Sequence, residues 1–156
     1  MIRLTDLNED NWQEAASLRV RDDQSGYLAP AIGIIARGYV YRECNARVFL
    51  IENDGVIVGM ALVRDFTDEP VGYDLQQFMI DERFQGRGYG SEALGLILDE
   101  LRAEARFGRV EVCVNREDIP AIRLYEKHGF RDSGYLDPDL PDCVNMICYL
   151  DRDERS

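Results

Sequence analysis

The 156-residue sequence is poor in basic residues, has a single histidine and contains no long apolar run. Its 18 Lys and Arg residues are outnumbered by 30 Asp and Glu residues, which gives a net charge of −12. Nucleic-acid binders and proteins drawn to anionic membranes depend on clustered Lys and Arg, so this charge disfavours both classes. The acidity suits a cationic partner, although it also serves solubility alone.

The sequence also lacks the patterns of metal sites, leader peptides and membrane spans. Its four cysteines form no Cys-x-x-Cys unit: Cys44, Cys113, Cys143 and Cys148. With His128 as the lone histidine, the ligands of a typical zinc site are missing, so we predict no metal and four reduced thiols. The first residues do not resemble a signal peptide, and the longest apolar run, 55–63, is too short to cross a bilayer. We therefore expect a cytoplasmic protein.

The length and a hydrophobic fraction of 46% predict one folded domain over residues 1–156. Apolar periodicity predicts strands at 2–6, 47–52, 56–64, 72–80, 109–115, 131–136 and 144–150. It predicts helices at 9–20, 30–43, 91–107 and 119–128. Antiparallel strands followed by a strand–helix–strand crossover indicate an α/β (α+β) fold with a central mixed, mostly antiparallel sheet.

A glycine-rich turn, Gln85-Gly86-Arg87-Gly88-Tyr89-Gly90, lies between a predicted strand and the clearest predicted helix. Alternating glycines leave the backbone bare, and the helix N-terminus presents unpaired N–H groups, so the turn is suited to a phosphate or diphosphate. The alternative is a tight turn that needs glycine for its shape alone. The spacing matches neither the nucleotide triphosphatase loop nor the dinucleotide-binding loop.

The Gln-x-x-Gly-x-Gly turn resembles the acyl-CoA loop of the GNAT family of N-acetyltransferases. A second stretch, from Ala121 through Leu124-Tyr125 to Gly129-Phe130, is similar to the other signature of that family and follows in the expected order. The resemblance covers essentially the whole chain and implies a GNAT fold with a splayed sheet and about four flanking helices. Residues 78–86 resemble the corresponding segment of bacterial spermine/spermidine (diamine) acetyltransferases. Four earlier residues also match the N-terminal pattern of that subgroup: Leu18, Val20, Gln24 and Tyr27.

The resemblance implies acetyl-CoA as the donor, a primary amine as the acceptor and often a homodimer. The residues implied for CoA binding are Phe78, Met79, Ile80, Gln85, Gly86, Arg87, Gly88, Tyr89, Gly90 and Ser91. The backbone of residues 78–80 would pair with the pantetheine arm, and one of its N–H groups would polarise the thioester carbonyl. Arg83 and Arg87 flank the turn and are candidates to assist the diphosphate, or they are solvated surface residues.

Tyr125 matches the family tyrosine that protonates the departing CoA thiolate. A phenol with a pKa near 10 stays protonated at neutral pH and can donate its proton as the thiolate forms. The alternative is a core tyrosine on an amphipathic helix. His128 lies three residues later, but this position varies within the motif, so we assign it no catalytic role.

The general base is less clear from the sequence. An acceptor amine with a pKa near 10.4 needs about 4–5 kcal/mol to lose its proton at pH 7. Polyamine acetyltransferases carry a carboxylate two residues before the position of Phe78, where this chain has Gln76. We select Asp74, which would share a strand face with Gln76, and keep Glu111 on the neighbouring strand as another candidate. Asp118 replaces a frequent family asparagine, and we expect it to cap the helix that follows.

The acceptor side is predicted from polar residues near the motifs. Asp22, Tyr27 and Gln76 are the predicted substrate-binding residues, with Gln76 placed to orient a water. Carboxylates that could hold a distal ammonium, or that form a solvated surface, are Asp22, Asp23, Asp65, Asp68 and Glu69. Two alternatives to a polyamine acetyltransferase remain. One acetylates an aminoglycoside or a protein N-terminus, and the other is a CoA-binding regulatory module, favoured by Gln76 and opposed by Tyr125.

Overall fold

The computed structural model describes residues 1–151, so residues 152–156 of the predicted domain lie outside the described residues. The strands are β1 (Ile2–Asp6), β2 (Arg47–Asn53), β3 (Val56–Phe66), β4 (Gly72–Ile80), β5 (Arg109–Asn115), β6 (Arg131–Asp132) and β7 (Cys143–Tyr149). The α-helices are α1 (Trp12–Ala16), α2 (Ala31–Val40), α3 (Tyr89–Glu104) and α4 (Ile119–Lys127). Three short 3-10 turns lie at Asp22–Gln24, Arg42–Cys44 and Glu82–Phe84.

The strands form one seven-stranded sheet in the order β1-β2-β3-β4-β5-β7-β6. The β4–β5 pair is parallel, because α3 carries the chain from one strand to the other, and the other pairs are antiparallel. Along β5, Val110, Val112 and Val114 are buried while the intervening residues are not, as the alternating sequence predicts. The predicted central, mixed and mostly antiparallel sheet with four helices is confirmed.

Helices cover both faces of the sheet. Helix α3 buries Leu94, Ile97, Leu98 and Leu101 at helical spacing against one face. On the opposite face, Ala15 of α1 and Ile34 of α2 pack into a second core with Leu50, Met60 and Leu62. The two helical layers therefore hold β3 and β4 between them and fix the end of β4 from which the glycine turn departs.

The helix predicted at 9–20 is wrong in extent, since α1 ends at Ala16. The N–H groups of Ser17 and Leu18 still bond to the last turn, at 3.1 and 3.2 Å. The Arg19 N–H instead donates to the Asp81 carboxylate at 3.0 Å. This bond turns the chain toward the end of β4, a tertiary interaction that apolar periodicity does not encode.

Several other predicted boundaries differ from the structure, including the end of the helix predicted at 30–43, which stops at Val40. Helix α3 begins two residues before the predicted residue 91, and Ala105 ends it in a left-handed conformation with φ +56° rather than at 107. The strand predicted at 131–136 has only two paired residues, Arg131–Asp132. After it the backbone turns at Gly134, with φ +79°, and leaves the sheet.

No helix among residues 1–151 is both long and apolar enough to cross a bilayer. The cysteines are free thiols, as predicted.

Candidate active site

The sheet opens where β4 and β5 separate. These parallel strands pair through Tyr73 with Val110 and through Asp74 with Glu111, and then diverge. The β3–β4 register also shifts at this point: Val63 lies opposite Leu75, whereas Leu62 lies opposite Gln77. Gln76 is therefore the extra residue of a β-bulge, which bends β4 away from its neighbour. The opening holds several of the residues that the sequence singled out, including Gln76 and Tyr125.

A cavity of about 270 Å³, here called the cofactor groove, runs from the end of β4 across the glycine turn to α4. Its lining residues are Val20, Gln24, Leu28, Phe78, Met79, Ile80, Phe84, Gln85, Gly86, Gly88, Tyr89, Gly90, Asp118, Pro120, Ala121 and Leu124. The groove thus brings together eight of the ten predicted CoA-binding residues. Arg87 and Ser91 do not line it.

The glycine turn has the backbone conformation that the sequence suggested. Gly86 and Gly88 have φ of +79° and +83°, in the left-handed region that favours glycine. Gly88 is also the N-cap of α3, and no side chain caps this helix. The N–H groups of its first turn are consequently available to an anion at the positive end of a 16-residue helix.

Buried Asp81 anchors the segment that precedes the turn. Its carboxylate accepts hydrogen bonds from the N–H of Arg19 at 3.0 Å and of Arg83 at 2.9 Å, and from Arg83 Nε at 2.8 Å. Burial acts to raise the pKa of Asp81, but the hydrogen bonds from Arg83 and Arg19 outweigh it and hold that pKa below its usual range. Arg83 is therefore engaged with Asp81 rather than placed in the groove.

The Gln85 side chain fixes the first residue of the turn. Its Nε2 donates to the carbonyl of Ile80 at 2.9 Å, and its Oε1 accepts from Arg21 Nη1 at 3.1 Å. Gln24 also contacts Gln85, so the 3-10 turn Asp22–Gln24 is tied to the glycine turn. The glutamine of the motif positions the turn through its side chain.

Two predicted CoA-binding residues and the lone histidine lie beside the groove. The Arg87 guanidinium is 5.8 Å from the centre of the Phe84 ring. Ser91 Oγ lies 3.0 Å from His128 Nε2, which joins the start of α3 to the end of α4. Burial, with the nearby charge of Lys127, lowers the pKa of His128, so the ring is neutral at pH 7.

A second cavity, of about 90 Å³, continues the groove into the opening between β4 and β5 and is here called the inner cavity. Its lining residues are Tyr27, Leu28, Leu75, Gln76, Gln77, Phe78, Val112, Cys113, Val114, Asn115, Asp118, Ala121, Leu124 and Tyr125. Predicted Tyr125, Gln76 and Tyr27 therefore share one cavity, although they come from α4, β4 and the segment before α2.

Tyr125 is buried, with 6% of its surface exposed. Its ring packs edge-on against Phe78 and Phe130, at centroid distances of 6.5 and 5.3 Å. Its hydroxyl makes no hydrogen bond to any residue of the described part of the chain. Burial, assisted by the charge of Asp118, raises the pKa of Tyr125 above its ordinary value, so the hydroxyl remains a proton donor.

Two consecutive glutamines of β4 have different roles. Gln77 Oε1 accepts a hydrogen bond from the Ala29 N–H at 3.0 Å and thereby fixes the entry to α2. Gln76 Oε1 is buried and has no partner within residues 1–151. A buried amide oxygen without a partner is unfavourable, so the Gln76 side chain is the polar group of this strand that is left for a ligand or water.

The predicted base, Asp74, lies outside the inner cavity, two residues before Gln76. It is 8% exposed, and its Oδ2 accepts a hydrogen bond from Arg64 Nε at 3.0 Å. Burial raises the pKa of Asp74 to about 6, Arg64 opposes the rise and the Glu111 charge adds to it. Glu111 itself contacts Arg109 at 3.4 Å. Asp74 is thus ionised at pH 7 and titrates close to it.

Cys113 lines the inner cavity and was not singled out by the sequence. Cys113 is an exposed residue, but partial desolvation of its thiol raises the pKa of Cys113 to about 12, and a hydrogen bond with the Cys143 thiol adds to the rise. The sulfur is therefore a thiol at neutral pH rather than a nucleophilic thiolate. Within residues 1–151, no cluster of His, Cys, Asp and Glu could hold a metal ion.

The acidic residues proposed for the acceptor side do not converge. Asp22 lines a third cavity, of about 210 Å³, while Asp23 pairs with Arg21 at 3.2 Å. The placement of Asp65 on an acceptor-side loop is wrong: it lies buried in β3 and accepts a hydrogen bond from Asn45 at 2.7 Å. Two exposed residues line none of the three cavities: Asp68 and Glu69.

Asp118 caps α4, as predicted, by accepting a hydrogen bond from the Ala121 N–H at 3.3 Å. It also lines both the cofactor groove and the inner cavity, where burial raises its pKa. Other lining residues were missed because their positions depend on tertiary contacts, and Leu28 is an example that belongs to none of the matched motifs.

The acetyltransferase (GNAT) family matches residues 4–130 of this chain. A spermine/spermidine N(1)-acetyltransferase from Bacillus subtilis (strain 168) is 27% identical over 146 residues, which cover 87% of this chain and 91% of that protein. The structure of spermidine N-acetyltransferase from Vibrio cholerae, in complex with CoA and spermine, aligns with a TM-score of 0.74 at 17% identity over 96% of this chain and 95% of that chain. The ribosomal-protein-S18-alanine N-acetyltransferase of Escherichia coli aligns with a TM-score of 0.71 at 21% identity, over 96% and 94% of the two chains. These structural similarities show a shared fold.

Proposed function

The chain belongs to the acetyltransferase (GNAT) family, and we propose that it transfers the acetyl group of acetyl-CoA to a primary amine of a polyamine such as spermidine or spermine. The observation that carries this proposal is the position of Tyr125 and Gln76 in one inner cavity that continues the cofactor groove. A proton donor and an unpaired polar group thus flank the place where the two substrates would meet.

The residues of the groove fit acetyl-CoA. The left-handed glycines and the uncapped start of α3 would hold the diphosphate, and the apolar wall of α4, including Ala121 and Leu124, would face the pantetheine arm. The net charge of −12 opposes a polyanionic donor, so these local N–H groups must supply the attraction. The backbone of Phe78, Met79 and Ile80 would carry the thioester, with one N–H donating to its carbonyl oxygen.

The proposed reaction is direct transfer. The acceptor ammonium gives up one proton, through water, to Asp74, and its nitrogen then attacks the thioester carbonyl. The C–N bond forms, the C–S bond breaks, and Tyr125 donates its phenolic proton to the departing sulfur. The second proton that the nitrogen loses as the amide forms returns to the Tyr125 phenolate through water. Gln76 orients the water or the amine. Because the Cys113 thiol is protonated at neutral pH, we favour this route over one that passes through an acyl-cysteine.

The polyamine acceptor is supported by charge and by the related proteins. A polyamine is a chain of methylenes and ammonium groups, so it complements an acidic surface. Asp22, exposed at the mouth of its cavity, would bind a distal ammonium, and Tyr27 would line the path of the reacting end. The Bacillus subtilis relative is named for spermine and spermidine, and the Vibrio cholerae structure contains spermine.

We extend the proposal to the setting of the enzyme. It would act as one domain over residues 1–156, as a cytoplasmic homodimer, without a metal and without nucleic-acid or membrane partners. The overall acidity supports the last two expectations, because it repels phosphate backbones and anionic lipids.

Two alternatives have some support. The Escherichia coli enzyme is named as an acetyltransferase of a ribosomal protein, and this chain shares its fold. A peptide amine is therefore one candidate acceptor. A catalytically weak CoA-binding module is the other, because Gln76 stands where the resembled enzymes carry a carboxylate. The unpaired hydroxyl of Tyr125 argues against such a module.

A thiol-release assay separates these functions. Acetyl-CoA is supplied with spermidine, spermine, putrescine, an aminoglycoside or a short peptide, and free CoA is measured over time. The proposal predicts the highest kcat/KM for a polyamine. Faster turnover of the aminoglycoside or the peptide would replace the acceptor, and tight CoA binding without any turnover would favour the regulatory module.

A further inference from the structure

Leu28 lies at the junction of three cavities. Within the described part of the chain, it is the one residue that lines the cofactor groove, the inner cavity and the third cavity, here called the side pocket. It is half-buried and lies between the 3-10 turn Asp22–Gln24 and α2. Any group bound at the meeting point of the groove and the inner cavity would therefore contact it.

The side pocket is a largely apolar space of about 210 Å³, although Arg19, Asp22 and Ser25 also line it. Leu18, Ala31 and Met79 form part of its wall, and Asp22 lies at its exposed rim. An apolar cavity of about 150 Å³ holds a benzene molecule, so this volume can take an alkyl chain of several carbons. Among residues 1–151, no side-chain nitrogen or oxygen of this pocket is buried without a hydrogen-bond partner, so its inner wall suits an alkyl chain better than a polar one.

A thin partition separates this pocket from the groove. The side chains of Val20, Leu28 and Met79 line both spaces. Of these, Leu28 alone also reaches the inner cavity, where Tyr125 and Gln76 lie. Met79 is a buried core residue of β4, whereas Leu28 is half-buried and packs against that core from a connecting segment. Leu28 is thus the residue whose shortening would join the reaction position to the side pocket with least effect on the sheet.

We propose that Leu28 determines the length of the acyl group that the enzyme transfers, by closing the side pocket to the acyl chain of the donor. The inference rests on the proposed function, since it requires the thioester to lie beside Phe78. The chemistry is unchanged for a longer donor: the C–S bond of the acyl-CoA breaks, the C–N bond forms, and Tyr125 protonates the sulfur. The wild type would accept acetyl-CoA and reject hexanoyl-CoA.

Replacement of Leu28 by alanine tests this directly. With spermidine as the acceptor, kcat/KM is measured for acetyl-CoA, butyryl-CoA and hexanoyl-CoA. One methylene in an apolar pocket changes specificity by about 10–200-fold, so the hexanoyl-to-acetyl ratio of Leu28→Ala is expected to rise at least about 10-fold. Leu28→Met, of similar volume, should keep the wild-type ratio, as should Leu140→Ala, a Leu-to-Ala change at an exposed residue outside the three cavities.

A calorimetric titration without an acceptor separates this inference from the proposed function. Leu28→Ala should bind hexanoyl-CoA at least about 10-fold more tightly, relative to acetyl-CoA, than the wild type does. Tighter binding of hexanoyl-CoA would support the role of Leu28 even if the enzyme acetylated no amine. A lack of acetylation would instead argue against the proposed function. An unchanged donor ratio in both measurements, or a change confined to the KM for spermidine, would overturn the role of Leu28.

Discussion

Asp74 and Glu111 lie opposite each other in the last pair of residues that joins β4 to β5 before the strands separate. Each carboxylate has a basic neighbour: Arg64 lies 3.0 Å from Asp74, and Arg109 lies 3.4 Å from Glu111. Burial raises the pKa of Asp74 to about 6, with a smaller contribution from the Glu111 charge and an opposing effect of Arg64. The closed end of the opening therefore holds a carboxylate that is ionised at pH 7 and can still accept a proton.

Asp74→Asn is expected to lower the rate of acetyl transfer at pH 7 by about 10²-fold or more, because it removes the proposed base. The loss should be smaller at pH 9, where more of the acceptor amine is already neutral. In the wild type, kcat/KM should decline as the pH falls through about 6, and the variant should lack this decline. The measurement is a pH profile of kcat/KM for both proteins.

Glu111→Gln is the matched control for this profile, since it neutralises the carboxylate on the paired strand. If Asp74 is the base, this variant keeps most of its activity and its acidic limb moves to lower pH, because a repulsive charge near Asp74 is gone. An equal loss for Asp74→Asn at pH 7 and pH 9 would instead indicate a role in folding or binding.

Stability should depend on the same carboxyl group. The pKa of Asp74 is raised on folding, so the native state binds this proton more tightly than the unfolded state does. The resulting stabilisation is complete below about pH 4 and is lost as the pH rises through about 6, by about 3 kcal/mol. Urea unfolding from pH 4 to 7 should show Asp74→Asn gaining stability relative to the wild type as the pH rises. A constant difference between the two proteins would exclude the raised pKa.

Tyr125→Phe should reduce turnover by about 10²–10⁴-fold if the phenol is the general acid. The fold should be retained, because the hydroxyl bonds to no other residue of the described chain and the ring contacts with Phe78 and Phe130 remain. The measurement pairs kcat with the melting temperature. Tyr135→Phe, at an exposed tyrosine, should change neither, and an unaltered kcat in Tyr125→Phe would remove the assignment.

Gly88→Ala is expected to weaken CoA binding. At φ +83° an alanine carries a backbone cost of about 1–2 kcal/mol, so the turn would relax and its N–H groups would no longer converge. Gly108→Ala is a suitable control, because an added Cβ meets no atom within 4 Å there and its φ is not in the left-handed region. Calorimetric titration with CoA should show a loss of affinity for Gly88→Ala alone. Equal CoA affinities for Gly88→Ala, Gly108→Ala and the wild type would show that the glycine turn does not bind the diphosphate.

Local patterns were sufficient for most of the fold. Alternation along β5, the helical spacing of α3 and the cap at Asp118 depend on neighbours in sequence, and each was correctly predicted. The helix predicted at 9–20 failed because the Arg19 N–H bonds to Asp81, a residue far away in sequence. Local periodicity carries no information about such a partner.

The residues of the candidate site also fall into those that a local motif predicts and those that only tertiary packing places there. Eight of the predicted CoA-binding residues line the groove because a short motif encodes both the turn and the strand before it. Leu28 and Cys113 could not be predicted, since they reach the inner cavity through the packing of separate segments. The bulge at Gln76 was equally hidden, because one extra residue in a strand leaves no composition signal.

Acetyl transfer to spermidine can be measured by mass spectrometry of a reaction that contains the enzyme, acetyl-CoA and spermidine. We expect acetylated spermidine and free CoA in equal amounts, with both greatly reduced when Tyr125→Phe replaces the wild type. Release of CoA without any acetylated spermidine, or equal product from the two proteins, would contradict the proposed function.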